Sequence, residues 1–257
     1  MGALSVIERG ITLKVINGGE AANRKKCNLY SFEKKTNSNK KAGESSEVFA
    51  FKTKEEIKAM IDVFDKHIED APDDNKEQIA YRNKLLFLIG INVGIRASDL
   101  RTLKWSFFYN EDGTFKKAYT IFPKKTKNKP VRLHFNDTVE LAIKKYVSIY
   151  PIDNLDSYIF MSRKGNSPIC EASICRIIKD AATEAGIKQN IGSHSLRKTW
   201  GFWRWHDAKD SEKNTTLDIL MVCFNHSSCS VTSKYIGITD DEIKDVFNSV
   251  NLGIEFI

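Results

Sequence analysis

From about residue 48 onwards, apolar residues recur along this chain mainly with the period of an α-helix. Thr53 and Glu56 form a capping-box pattern, and apolar residues follow it at helical spacing. The pattern predicts helices after this capping box, over 76–93, from Arg96, from Asn136 or Asp137 to Pro151, over 171–185, from His194 into Trp205, over 217–224, around Tyr235, and over 240–248. The chain is therefore predicted to be mainly α-helical.

Two short stretches depart from the helical period. Residues 118–122 and 131–135 have the composition and length of β-strands, and the turn-rich residues 123–130 join them. We expect them to form an antiparallel hairpin. The predicted fold class is therefore mainly α with a small antiparallel β-sheet.

The N-terminal part of the chain shows no sustained periodicity. Residues 11–16 could form a short strand, whereas residues 23–46 are rich in Lys, Asn, Ser and Gly. We predict that residues 1–47 form a basic, flexible N-terminal segment and that residues 48–257 form one ordered domain.

Length and composition are those of a soluble globular protein, with 257 residues of which 41% are hydrophobic and 28% charged. No apolar run approaches the roughly 18 residues of a membrane span. No signal-peptide pattern opens the chain, so we expect no membrane partner. The five cysteines are odd in number and lack metal-ligand spacing, which favours reduced thiols in the cytoplasm.

Positive charge is concentrated in two places, and the formal net charge of the chain is +7. Residues 23–41 carry seven basic side chains against Glu33 alone, and residues 116–132 carry seven with no acid. Clustered Lys and Arg release counterions from a phosphate backbone, so nucleic acid is the expected partner. A solvated tail is an alternative interpretation of the first cluster.

The pattern that carries chemistry is His194-Ser195-Leu196-Arg197, followed by His226 and Tyr235. A histidine and an arginine three residues apart lie on one face of a helix, where both can reach one anion. Alone this is a weak signal, because such pairs usually form a solvated helix face. Two further segments strengthen it: Gly94-Ile95-Arg96-Ala97-Ser98-Asp99-Leu100 and Lys124-Lys125-Thr126.

The order Arg96, Lys125, His194, Arg197, His226, Tyr235 resembles that of the tyrosine site-specific recombinases, the phage-integrase family, over roughly residues 50–250. The resemblance implies a catalytic domain that cleaves and rejoins double-stranded DNA through a covalent 3'-phosphotyrosine intermediate. It implies no metal or other cofactor, and no ATP, because the bond energy is kept in the phosphotyrosine. Asn225 stands where the family commonly has Gly, and both residue types tolerate a left-handed backbone, so we expect the turn to survive.

These residue types suit the breaking of a phosphodiester, which spreads negative charge over the non-bridging oxygens. Arg96 and Arg197 would bind that charge, because a planar guanidinium meets two oxygens at once. Tyr235 would be the nucleophile. Either His194 or His226 could accept its proton. The resemblance implies that His226 mainly bonds the phosphate and that His194 assists proton movement, but the residues alone leave both roles open.

The resemblance assigns protonation of the leaving 5' oxygen to a hairpin lysine. Lys125, directly before Thr126, matches the family best, while Lys124 and Lys127 remain alternatives. Asp99 would orient the arginines or the histidine, although it could instead only favour a helix dipole. Further DNA contacts are predicted from Lys124, Lys127, Lys129, Arg163, Lys164 and Lys198.

Two other functions fit parts of the pattern. A type IB topoisomerase uses a similar residue set as a monomer, but the compact motifs at Arg96 and His194 look like those of integrases. A non-catalytic DNA-binding module would bind DNA without forming a covalent adduct. The resemblance further implies a homo-oligomer, a tetramer, on DNA, a cytoplasmic and nucleoid-associated location, and a bacterial mobile element. Residues 1–47 are too few for the family's helical core-binding domain, so we expect no full copy of it here.

Overall fold

The computed structural model describes residues 47–123, 130–162 and 167–238. Its elements, in chain order, are α1 Lys54–Glu69, α2 Asp74–Val93, α3 Ala97–Leu100, β1 Ala118–Ile121, β2 Val131–His134, α4 Asp137–Ile149, α5 Glu171–Glu184, α6 Ser193–His206, α7 Lys213–Phe224 and α8 Cys229–Ile236. Strands β1 and β2 pair antiparallel, with Ala118 opposite His134 and Ile121 opposite Val131. The predicted fold class is confirmed.

Some predictions fall outside the described residues. The possible strand over 11–16, the helix over 240–248 and the domain boundary near residue 47 belong to this group, and they stay predictions. In the part of the chain that the structure does describe, no helix combines the length and the apolar character needed to cross a membrane.

Helix starts follow the capping chemistry of the sequence. At α1 the Thr53 hydroxyl accepts from the Glu56 amide at 3.1 Å, and the Glu56 carboxylate accepts from the Thr53 amide at 3.3 Å. Helix α2 begins two residues before the predicted start at 76, because the Asp73 carboxylate caps it by accepting from the Lys76 amide at 2.8 Å. The predicted stop at Gly94 is confirmed, with a left-handed φ of 68°.

Helix α2 is the centre of the main hydrophobic core. It packs against α1, α4 and α6, and Leu86, Phe87 and Ile89 on it are fully buried. Gly90 lets α6 approach closely, because a Cβ atom there would lie 2.6 Å from a methyl carbon of Leu196. This contact fixes the position of α6, which carries the His194 to Arg197 motif.

A second, smaller hydrophobic cluster joins α6, α7 and α8. Its buried members are Ala50, Phe202, Leu220, Phe224, Ile236 and Ile238. A Cβ atom on Gly201 would lie 2.6 Å from Phe224 and 2.7 Å from Ile236, so only glycine allows this approach. Helix α7 begins at Lys213, four residues before the predicted start at 217. The sequence did not show this first turn because its residues are polar and exposed or half-buried, which leaves no apolar period. The second cluster fixes α7 and α8 against α6, and Tyr235 packs against it.

Candidate active site

Arg96 and Arg197 converge on the C-terminal end of α7 from distant parts of the chain. Arg96 is the residue before α3, and its Nη2 donates to the carbonyl oxygen of Phe224 at 3.2 Å. Arg197 Nη2 donates to the Cys223 carbonyl at 3.4 Å, and its Nη1 donates to the Gly94 carbonyl at 2.6 Å. Helix ends present carbonyl oxygens and partial negative charge, which hold cations. The two arginines therefore join the turn at Gly94 to the C-terminal end of α7, although these segments are far apart in the sequence.

Burial makes Arg197 an unusual arginine. Its side chain is 6% exposed and stacks on the Phe224 ring, with Cζ 4.5 Å from the ring centroid. Burial, helped by the positive charge of Arg96, lowers the pKa of Arg197 to about 10, although Tyr235 and Asp99 act in the opposite direction. Arg197 is therefore still a cation at neutral pH. Two neighbouring cations with little solvent favour an anion between them.

The turn after α7 has the backbone expected from the sequence. Asn225 has φ 55° and ψ 49°, in the left-handed region, and it ends α7. The prediction that asparagine can replace glycine in this turn is therefore confirmed. The turn directs His226 back towards the arginines, and the His226 amide donates to the Met221 carbonyl at 3.0 Å.

His226 lies against Tyr235. The two ring centroids are 5.0 Å apart, with planes at 74°. His226 Nδ1 lies 3.2 Å from the Thr232 hydroxyl, which itself donates to the Ser228 carbonyl at 3.2 Å. Because the Thr232 hydroxyl proton is donated to Ser228, the hydroxyl oxygen can only accept a hydrogen bond from His226. We therefore assign the imidazole proton to Nδ1, which leaves Nε2 as an acceptor. Burial, with Arg197 and Arg96, lowers the pKa of His226, so it is neutral at neutral pH.

Tyr235 lies in the last turn of α8, whose final residue is Ile236. Its ring also packs against Phe224 at 5.2 Å. Burial raises the pKa of Tyr235, whereas the nearby positive charges of Arg197 and Arg96 lower it. The phenol is therefore protonated at neutral pH and needs a base to become a nucleophile.

Three other predicted residues occupy different surroundings. Asp99 is 8% exposed in α3 and acts electrostatically on Arg197. His194 is exposed in the first turn of α6, one turn before Arg197. Lys198 is buried, its Nζ lies 3.3 Å from a carboxylate oxygen of Glu47, and it lies 5.3 Å from the centroid of the Tyr235 ring. The DNA contact of Lys198 stays a prediction, but these surroundings favour a role towards Tyr235.

The remaining predicted residues are outside the described ranges. They are the hairpin lysines Lys124, Lys125, Lys127 and Lys129 and the turn residues Arg163 and Lys164. Their roles stay predictions. In the described ranges, no group of three or more His, Cys, Asp and Glu side chains is arranged to hold a metal ion.

A cleft of about 380 Å³ lies between the hairpin and α6, and four arginines line it: Arg96, Arg132, Arg197 and Arg204. Asp99 is the one carboxylate among the described residues of its wall. Sequence reasoning missed Arg132 and Arg204, which are both exposed. The spacing of Arg204, seven residues or two helical turns after Arg197, could have placed it on the motif face. Arg132 lies in the predicted strand, but only the pairing of the hairpin shows which way it faces.

Comparison with known proteins agrees with this geometry. Residues 51–242 match the phage integrase family. A probable integrase/recombinase of Bacillus subtilis, YoeC, is 31% identical over 176 residues, which cover 67% of this chain and 88% of the relative.

Two solved structures share the fold. The crystal structure of XerA recombinase has a TM-score of 0.56 at 18% identity, covering 81% of this chain and 65% of that chain. XerH site-specific recombinase, in a post-cleavage complex with palindromic difH substrate, has a TM-score of 0.52 at 21% identity, covering 74% and 50%. The chain therefore spans 65% and 50% of these two proteins. On the match across residues 51–242, this chain belongs to the phage integrase family, the family of tyrosine recombinases.

Proposed function

We propose that this protein is a site-specific DNA recombinase that cleaves and rejoins double-stranded DNA through a 3'-phosphotyrosine on Tyr235. The observation that carries the proposal is the packing of Tyr235 against His226, with ring centroids 5.0 Å apart, beside the two arginines Arg197 and Arg96. A phenol, two cations and a neutral imidazole in one place are the groups that in-line attack on a phosphodiester requires.

The proposed cleavage step uses these groups as follows. The Tyr235 oxygen attacks phosphorus, and the bond to the 5' oxygen breaks. His226 Nε2 accepts the phenolic proton, since it is the acceptor nitrogen and its ring lies against Tyr235. Arg96 and Arg197 bind the non-bridging oxygens. Lys125 donates a proton to the leaving 5' oxygen, and rejoining reverses each transfer.

The substrate and setting are proposed on separate grounds. XerH, which shares the fold, is bound to its difH substrate in the solved structure, and seven basic side chains with no acid lie in residues 116–132. These features support double-stranded DNA as the partner. From the family we also propose a tetramer on DNA, a cytoplasmic and nucleoid-associated location, and a role in a mobile element.

Covalent trapping on whole genomic DNA tests the reaction and finds the target site in one experiment. Sheared genomic DNA from the source organism is incubated with the protein, the reaction is quenched in detergent, and protein-linked DNA is purified and sequenced. We expect adducts at a small number of recurring sequences, each joined to the protein through a 3' phosphate. DNA binding with no adduct anywhere in the genome would favour a non-catalytic DNA-binding module instead.

Arg132 and Arg204 should each bind a phosphate near the cleavage point. Arg132→Gln and Arg204→Gln are each expected to weaken duplex binding about fivefold at ~150 mM salt, because one counterion fewer is released. The slope of log K against log salt should fall by about one for each change. Fluorescence anisotropy with a mixed-sequence duplex measures both quantities.

Arg176→Gln is the matched control for these two changes. Arg176 is an exposed helical arginine on α5, outside the wall of the cleft. It loses the same charge and should leave the slope near the wild-type value. Equal slopes of log K against log salt in all three variants would show that the cleft arginines do not contact the DNA backbone.

A further inference from the structure

Residues 47–52, which we call the α6 strap, run directly before α1 and cross the motif helix α6. The Phe51 amide donates to the Thr199 hydroxyl at 2.9 Å, and the Trp203 indole donates to the Phe51 carbonyl at 2.9 Å. Asn190, just before α6, donates its side-chain amide to the Glu47 carbonyl at 2.7 Å. The α6 strap is therefore fixed along the helix by hydrogen bonds at both of its ends.

The α6 strap also joins the two hydrophobic clusters. Phe51 is fully buried in the main core, edge-on to Phe87 at 5.7 Å. The adjacent Ala50 is buried in the second cluster, together with Ile236 and Ile238 on either side of the α8 terminus. Neighbouring residues of the α6 strap therefore connect the rigid core to the segment that carries Tyr235.

Two lysines link the α6 strap to helix α8 and to Tyr235 itself. Lys52 Nζ donates to the carbonyl oxygen of Gly237 at 2.6 Å, and Gly237 is the C-cap of α8, two residues after Tyr235. A cation at a helix C-terminus holds the last carbonyls and complements the helix dipole. The Lys198 ammonium lies over the Tyr235 ring, 5.3 Å from its centroid, and is ion-paired with Glu47 of the α6 strap.

We propose that the α6 strap positions the nucleophile, with Lys52 as the main positioning residue and Glu47 acting through Lys198. This inference rests on the proposed role of Tyr235 as nucleophile. Helix α8 has only eight residues, from Cys229 to Ile236, so its own hydrogen bonds do little to hold it in place. The angle of the phenol towards phosphorus is therefore set by contacts at its ends. Misplacement of a reacting group by about 1 Å can cost on the order of 100-fold in rate.

Lys52→Met keeps the aliphatic stem and removes the donor to Gly237. We expect the rate of adduct formation at saturating DNA to fall about tenfold, while the dissociation constant for DNA changes less than about twofold. Lys52→Arg, which can still donate to the carbonyl, should recover most of the rate. Lys54→Met is the matched control, because Lys54 is an exposed lysine two positions later and its loss removes the same charge. The substrate is the sequence recovered by covalent trapping.

A second readout needs no DNA and separates this proposal from the reaction itself. With tyrosine labelled at Cζ, the carbon resonance of Tyr235 is assigned by its disappearance in Tyr235→Phe. Lys52→Met and Glu47→Gln should each shift or broaden this resonance, while the Tyr158 resonance stays in place and reports an intact fold. An unchanged Tyr235 resonance in both variants, or equal rates in Lys52→Met and Lys54→Met, would overturn the proposal. Absence of any adduct in the wild type would instead refute the recombinase function, and the resonance would still decide the role of the α6 strap.

Discussion

Tyr235→Phe is expected to abolish covalent adduct formation, by at least about 1,000-fold, and to leave DNA binding within about twofold of wild type. The change removes only the hydroxyl, so the ring keeps its contacts with His226 and Phe224 and stays under the Lys198 ammonium. Detergent-quenched trapping measures adducts, and anisotropy measures binding on the same DNA.

Tyr158→Phe is the matched control for this change. Tyr158 is also a half-buried tyrosine with a lysine ammonium over its ring, from Lys104 at 5.8 Å, but it lies outside the arginine cleft. The control should form adducts at the wild-type rate. Adducts that persist in Tyr235→Phe would show that another residue is the nucleophile.

The pH dependence of adduct formation follows from the same groups. The pKa of His226 is lowered below its ordinary value of 6.5, so the imidazole stays neutral through neutral pH and becomes protonated only in more acidic solution. The proposed base is then lost, and the adduct rate should fall with decreasing pH. The raised pKa of Tyr235 keeps the phenol protonated at neutral pH, which explains why a base is required.

The sequence predicted helix boundaries well where a capping residue marks them, as at Thr53 before α1 and at Gly94 after α2. It was less accurate at α7, where the polar first turn from Lys213 has no apolar period. Local pattern cannot show that turn, because exposed helical residues need only helix propensity.

The candidate site was predictable as a set of residues but not as an arrangement. Motif order identified Arg96 and Arg197, yet only the fold shows that both bind the end of α7. Lys198 follows Arg197 directly in the sequence and was predicted to contact DNA. That contact stays a prediction, but the burial of Lys198 and its ion pair with Glu47 were not visible in the sequence, because a partner 151 residues away cannot be read from spacing. The contact of Lys52 with Gly237 could not be predicted for the same reason, because the acceptor lies 185 residues later in the sequence.

Arg197→Lys is expected to lower the rate of adduct formation by about 100-fold or more, although the charge is kept. Arg197 uses its planar fork for two hydrogen bonds at once, to the carbonyls of Gly94 and Cys223, and its positive charge also acts on Tyr235. A lysine ammonium is a single point charge and cannot make these contacts together. At least one buried carbonyl should lose its donor, which costs about 1–3 kcal/mol in free energy of unfolding. Urea denaturation measures that cost, and adduct formation is compared at equal folded protein.

Arg82→Lys separates the loss of stability from the loss of chemistry. Arg82 is another largely buried arginine, 9% exposed, and its Nη1 donates to the carbonyl of Met161 at 2.6 Å. It lies outside the wall of the arginine cleft, so Arg82→Lys should be destabilised in a similar way and keep its adduct rate per folded molecule. Similar losses of rate in both variants would mean that Arg197 acts only by holding the fold. We expect a rate loss only in Arg197→Lys, because Arg197, unlike Arg82, would bind the phosphate beside Tyr235.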